Sequence, residues 1–251
     1  MVVPKSQAAA PMQWQKVKPQ SVSSQIVAQI RGALFRGDLK PGDLLGSETD
    51  FAHQFGVSRV PVRDAFKTLQ ALGIIEIKMG ANGGARIAAG DPHRFADALA
   101  IQLKLVGIGI EEMFDAQIAI EVMAAELGTT RATAEDIAAL RAILAELKAM
   151  AAKPLTASVA LRFTEGGLRF HAALVGTAHN RALSAQFEAL RVVLEPTYAQ
   201  RTSDSVAKRV AAEDEKILDA LEARDAERTR MLVRRRLETI RAHHLLQTVK
   251  K

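Results

Sequence analysis

The chain has 251 residues, 48% of them apolar and 25% charged, enough for one large or two modest globular domains. It has no cysteine, which excludes disulfides and thiolate metal sites, and no run of eighteen apolar residues, which excludes a transmembrane helix. The net charge of +6 is lopsided: residues 1–90 hold eleven Lys or Arg against six Asp or Glu, and residues 91–251 hold twenty-three against twenty-two, so a polyanion is the partner expected for the first third.

Residues 1–20 lack a basic segment followed by an apolar one and read as a disordered tail, not a signal peptide. With the missing cysteines, this agrees with a cytoplasmic address. From Val22 to Gly37 the residues Ile26, Ile30, Ala33 and Leu34 recur at helical spacing, and Gly37 is the stop. LKPGDLL (39–45) reads as a turn and a short extended segment. SETDFAHQF (47–55) opens on a serine cap with an acidic first turn, the mark of a second helix, and Gly56 ends it. Ser58 then caps a third helix reaching about Leu72. IIEIK (74–78) and ARIAA (85–89) have strand character, and MGANGG (79–84) between them is a turn. Helix, helix, tight turn, helix and hairpin make residues 21–90 a winged helix-turn-helix.

The third helix carries the chemistry. Val62, Ala65, Phe66 and Leu69 form an apolar stripe, while Arg59, Arg63 and Lys67 crowd the opposite side. In a helix-turn-helix the stripe anchors the helix to its domain and the N-terminal end enters the DNA major groove. Arg59 and Arg63, four apart, share a face, and an arginine fork bridges guanine O6 and N7. Ser58 and the first-turn amides suit a phosphate. Pro61 is tolerated there, because its missing N–H is no loss in a first turn. Lys78 and Arg86 flank the glycine-rich wing. A solvated cationic face is the bland alternative.

Gly90, Asp91 and Pro92 break the pattern, and residues 91–251 read as an all-helical second domain. Helices are expected near 93–106, 111–128, 133–151, 155–176, 180–200, 206–223 and 225–247. Their short separators favour antiparallel neighbours in a bundle, so the fold class is mainly α. Four of these helices place polar residues on their apolar stripes: Gln117 and Glu121, His171, Asp214, and Arg236. Such groups must pair with each other, as Asp214 with Arg236, or meet water or a ligand. Their convergence from separate helices points to an effector cavity.

The stretch LKPGDLLGSETDFAHQFGVSRVPVRDAFKTLQALGIIEIKMGANGGARI resembles the N-terminal domain of GntR-family bacterial transcription regulators, VSRVPVRDAF being its most specific part. The remainder, in RFHAALVGTAHN and ILDALEARDAERT, resembles the effector domain of the FadR-like subgroup, of FCD type. The resemblance implies a homodimer reading an imperfectly palindromic double-stranded operator, with Ser58, Arg59, Val60 and Arg63 on the DNA and Gly80 in the wing. Thr49 stands where the family has an arginine, so one DNA contact is altered. Many members hold a divalent metal with one aspartate and three histidines. Here those positions are Gly167, His171, Asp214 and Arg236, so no metal or other cofactor is expected. In its place, Arg236 is expected to bind the carboxylate or phosphate of an organic effector. Asp214 and Gln117 would hold the effector's hydroxyl or amine groups. Repressor is the family habit. Two alternatives stay open: a metal-responsive regulator with a weaker site at His171, Asp214 and Glu121, or an enzyme using a His171/Asp214 acid–base pair.

Overall fold

A computed structural model describes residues 21–80, 83–199 and 202–248; the expected N-terminal tail lies outside them. The chain divides between Asp91 and Pro92 into two compact units.

The first unit opens with α1 (Val22–Arg36), capped by the Ser21 hydroxyl on the Ser24 amide and closed by Gly37 in the left-handed conformation, φ +80°. β1 (Leu44–Gly46), α2 (Glu48–Phe55), α3 (Arg59–Ala71), β2 (Ile75–Lys78) and β3 (Gly84–Ile87) follow. Ser47 and Asp50 form a capping box at the start of α2, and the backbone and hydroxyl of Ser47 hold the Asp50 carboxyl below its ordinary range. Gly56, at φ +62°, ends α2 and sends the chain into α3. Ser58 occupies the N-cap of α3 with extended backbone, but, contrary to expectation, its hydroxyl makes no capping hydrogen bond.

The strands form one antiparallel sheet in the order β1-β3-β2, with Ile75 opposite Ile87 and Lys78 opposite Gly84. At the wing the Gly83 amide donates to the Gly80 carbonyl at 2.8 Å. A Cβ on Gly83 would lie 2.4 Å from the Lys78 carbonyl oxygen, so this turn closes only on glycine. Ile26 and Ile30 of α1, Phe51 of α2, Val62, Phe66 and Leu69 of α3, and Ile75 and Ile87 of the sheet build the core. Phe51 and Phe66 meet edge-on with ring centroids 5.2 Å apart. Burying each large apolar side chain contributes roughly 1.5–3 kcal/mol, which fixes α3 by its inner face.

The second unit contains, among the described residues, α4 (Pro92–Val106), α5 (Ile110–Arg131), α6 (Ala134–Ala151), α7 (Ala157–Gly176), α8 (Arg181–Ala199), α9 (Asp204–Glu222) and α10 (Ala226–Thr248). α5 packs against α7, α8, α9 and α10, while α6 lies against α7 and α9, and α4 against α8. Leu140, Leu144 and Leu147 of α6, Phe170 and Leu174 of α7, Ile217 and Leu221 of α9, and Val233 and Leu237 of α10 share one apolar cluster with Ile118 and Val122 of α5.

The expected boundary that moves furthest is the end of α5. The sequence reading stops the second helix of this unit at Gly128, but α5 runs through it to Arg131. A Cβ there would fall 2.1 Å from Thr177 Oγ1, so Gly128 is a point of close helix approach and not a stop. The helix is ended from outside: Arg224, itself at φ +57°, donates to the carbonyls of Thr129 at 3.0 Å and Ala132 at 2.8 Å.

Candidate DNA-reading face and polar core

All eight residues assigned to DNA from the sequence are exposed: Thr49, Ser58, Arg59, Val60, Arg63, Lys67, Lys78 and Gly80. On α3 the division is sharp. Val62, Ala65, Phe66 and Leu69 are buried, whereas the Arg59 and Arg63 side chains are 60% and 53% exposed. Neither guanidinium is covered by its own domain. Lys78 pairs with Glu76 at 3.5 Å, and Arg86 turns back to donate to the Gly42 carbonyl at 3.2 Å. Gly80, at φ +117°, bends the wing backbone as few side-chain-bearing residues do. Ala81 and Asn82 of the wing lie outside the described residues.

Sequence reasoning passed over Glu48. It is the first residue of α2, and its carboxylate lies against both Arg59 and Arg63. Arg63 Nε donates to Glu48 Oε2 at 3.0 Å and Oε1 at 3.3 Å, and an Arg59 terminal nitrogen is 3.7 Å from Oε2. The available signal was an acidic side chain at the start of the helix that packs against α3. Its fifteen-residue separation from Arg63 hides the pair from any periodicity within one helix.

In the second unit Gln117 and Glu121 of α5, His171 of α7, Asp214 of α9 and Arg236 of α10 are all buried, none more than 5% exposed. They form two linked groups. Gln117 Nε2 donates to Glu121 Oε1 at 2.6 Å, and Glu121 Oε2 meets His171 Nδ1 at 2.5 Å. Arg236 Nε donates to Asp214 Oδ1 at 2.8 Å, with Glu213 Oε2 at 3.7 Å. His171 is therefore held by Glu121, not by Asp214, and the acid–base pair of the enzyme alternative is not formed. Arg236 likewise does not wait for an external anion alone; Asp214 already engages it.

One acceptor of this core has no partner among the described residues. Asp214 Oδ2 is buried without a hydrogen-bond partner. Gly167 stands one helical turn before His171 on α7 at a half-buried position, and a Cβ built on it meets no atom within 4 Å.

Burial pushes the His171 ring toward its neutral form. The charge and hydrogen bond of Glu121, helped by the charge of Asp214, outweigh burial and the opposing charge of Arg236, and the pKa stands above the ordinary 6.5. A raised folded-state pKa stabilises the fold fully below the unfolded value, and the contribution is lost as pH rises through the folded value. Calorimetric melting of the protein is expected to show stability falling as pH rises from about 6.5 through that raised pKa. Glu121→Gln is expected to flatten this dependence, and an unchanged slope would show that the pair carries no such linkage.

Residues 22–83 match the bacterial regulatory proteins of the gntR family, and residues 112–239, half of the chain, match the FCD domain. This chain belongs to the GntR family. It is 25% identical over 211 residues to the uncharacterized HTH-type transcriptional regulator YdhC of Bacillus subtilis, covering 84% of this chain and 85% of that one. It is 26% identical over 193 residues to the Exu regulon transcriptional regulator of Escherichia coli, covering 77% and 68%. Among solved structures, Streptococcus agalactiae GntR superposes with a TM-score of 0.58 at 15% identity, over 88% of this chain and all of that one. Escherichia coli McbR/YncC gives 0.50 at 20%, over 92% and 100%. These structural likenesses establish the GntR fold, a winged helix-turn-helix followed by a helical FCD domain. The protein is thus a transcription regulator whose first domain binds DNA and whose second is of the effector-binding type.

Proposed function

We propose that this regulator is a cytoplasmic homodimeric repressor whose grip on a palindromic operator is relaxed by a small organic acid bound in the polar core of the FCD domain. The observation that carries the effector assignment is the buried, unpartnered Asp214 Oδ2 beside the Arg236 guanidinium. A carboxylate oxygen withdrawn from water without a donor is costly, and a ligand hydroxyl or ammonium group relieves that cost. The Arg236 guanidinium beside it places positive charge where a ligand carboxylate would enter. A hydroxy or amino acid supplies both groups. A ligand between Asp214 and Arg236 would change how α9 and α10 meet, and a ligand that binds one arrangement better shifts the dimer toward it.

No divalent ion is needed in this reading. Of the four positions that hold metal in many relatives, Gly167 offers no donor and Arg236 is itself a cation bonded to Asp214. His171, with Nδ1 on Glu121, keeps Nε2 as a single donor, and one imidazole with Asp214 beside a guanidinium is too few ligands. This donor set does not fit a metal, and Arg236 supplies the positive charge in its stead.

Thermal-shift and calorimetric titration with sugar acids, hydroxy acids, amino acids and acyl thioesters, each with and without zinc, nickel or manganese, tests the proposal. Saturable binding of an acid without metal, which also weakens operator binding, is expected. Stoichiometric metal binding, or acid binding only when metal is present, would overturn it.

A further inference from the structure

We propose that Glu48 is a positioning residue for DNA reading: it aims Arg63 at bases and, by its charge, holds Arg63 and the nearby Arg59 off the phosphates. The inference rests on the DNA-binding reading but concerns an acidic residue that the reading does not use. Glu48 is one-quarter exposed and faces two half-exposed guanidinium groups, so its carboxylate sits within the cationic surface itself. An acid at that place lowers the attraction of α3 for any duplex, because sequence-independent affinity comes from cations neutralising phosphates. Ion pairing alone does not explain it, since exposed pairs contribute about 0–1 kcal/mol, and Asp50 already supplies an acid to the first turn of α2.

Geometry supplies the gain. The carboxylate accepts from Arg63 through Nε. An arginine held by Nε still has its two terminal amino groups, the pair that bridges guanine O6 and N7. Fixing a long side chain before it reaches the groove removes the entropy of ordering it there, and biases it toward one base position. Glu48 thus exchanges general affinity for discrimination.

The test uses duplexes selected from a randomised library by the full-length wild type, with a scrambled duplex as control, and compares wild type, Glu48→Gln and Glu48→Asp. Wild type that enriches no sequence refutes the DNA reading itself and this inference with it. Glu48→Gln is expected to bind the scrambled duplex roughly 3- to 10-fold tighter at fixed salt. It is expected to lose at least about tenfold in the ratio of selected to scrambled affinity. Its log–log salt slope is expected to steepen by about 1–2, as one or two arginines move to phosphates. Glu48→Asp keeps the charge but shortens the reach, and is expected to lose discrimination without gaining non-specific affinity. Variants that melt like wild type and keep its ratio and slope would overturn the proposal.

Discussion

Arg63→Ala is expected to weaken operator binding by roughly 5- to 150-fold, the equivalent of about 1–3 kcal/mol for one bidentate arginine–guanine contact. The upper part of that range is favoured, because removing the arginine also strips Glu48 of its nearest cation, 3.0 Å away, and leaves a carboxylate facing the duplex. Arg59→Ala is expected to act in the same direction and less strongly, since its link to Glu48 is longer, at 3.7 Å. Arg63→Lys is expected to keep most non-specific affinity and lose discrimination, because an ammonium cannot form the planar fork. Lys153→Ala, an exposed cation of the FCD domain, is the control and is expected to change nothing. Quantitative gel shifts at one salt concentration decide the matter: equal losses for Arg63, Arg59 and Lys153 would remove α3 as the reading helix.

Arg236→Ala is expected to destabilise the FCD domain by about 3–5 kcal/mol, the range for breaking a buried ion pair by deleting one partner. Asp214 has no solvent exposure and one oxygen already without a partner; losing Arg236 would leave the whole carboxylate uncompensated. Glu213, 3.7 Å from the same nitrogen, would keep only Arg209, at 3.9 Å. The double change Asp214→Asn with Arg236→Met is expected to recover most of that loss, because it removes both charges at similar volume. Urea or thermal unfolding of the three variants checks this, and a single variant as stable as wild type would show that the pair is dispensable to the fold. Effector response is therefore better read from Arg236→Lys, which keeps a cation beside Asp214, than from the alanine variant.

Much of the DNA-binding half was legible in the residues. Ile26 and Ile30 on α1, and Val62, Phe66 and Leu69 on α3, repeat at helical spacing because one face of each helix had to leave water, and those faces are buried in the structure. Gly37 and Gly56 ended their helices where a left-handed residue was needed. The same logic erred at Gly128, where glycine serves the approach of Thr177, and at Ser58, whose hydroxyl makes no cap. A glycine written in a sequence does not say which of its two properties, conformational freedom or small size, the fold uses.

Periodicity also marked Gln117, Glu121, His171, Asp214 and Arg236 as inward-facing, and all five are buried. What it could not give was the pairing. Hydrophobic spacing reports which side of a helix is buried, and that is a local property of the chain. Whether His171 meets Glu121 or Asp214, and whether Glu48 meets Arg63, depends on which helices pack together and at what height. Those distances are set by side-chain volumes summed over the whole core, so only the folded structure decides them.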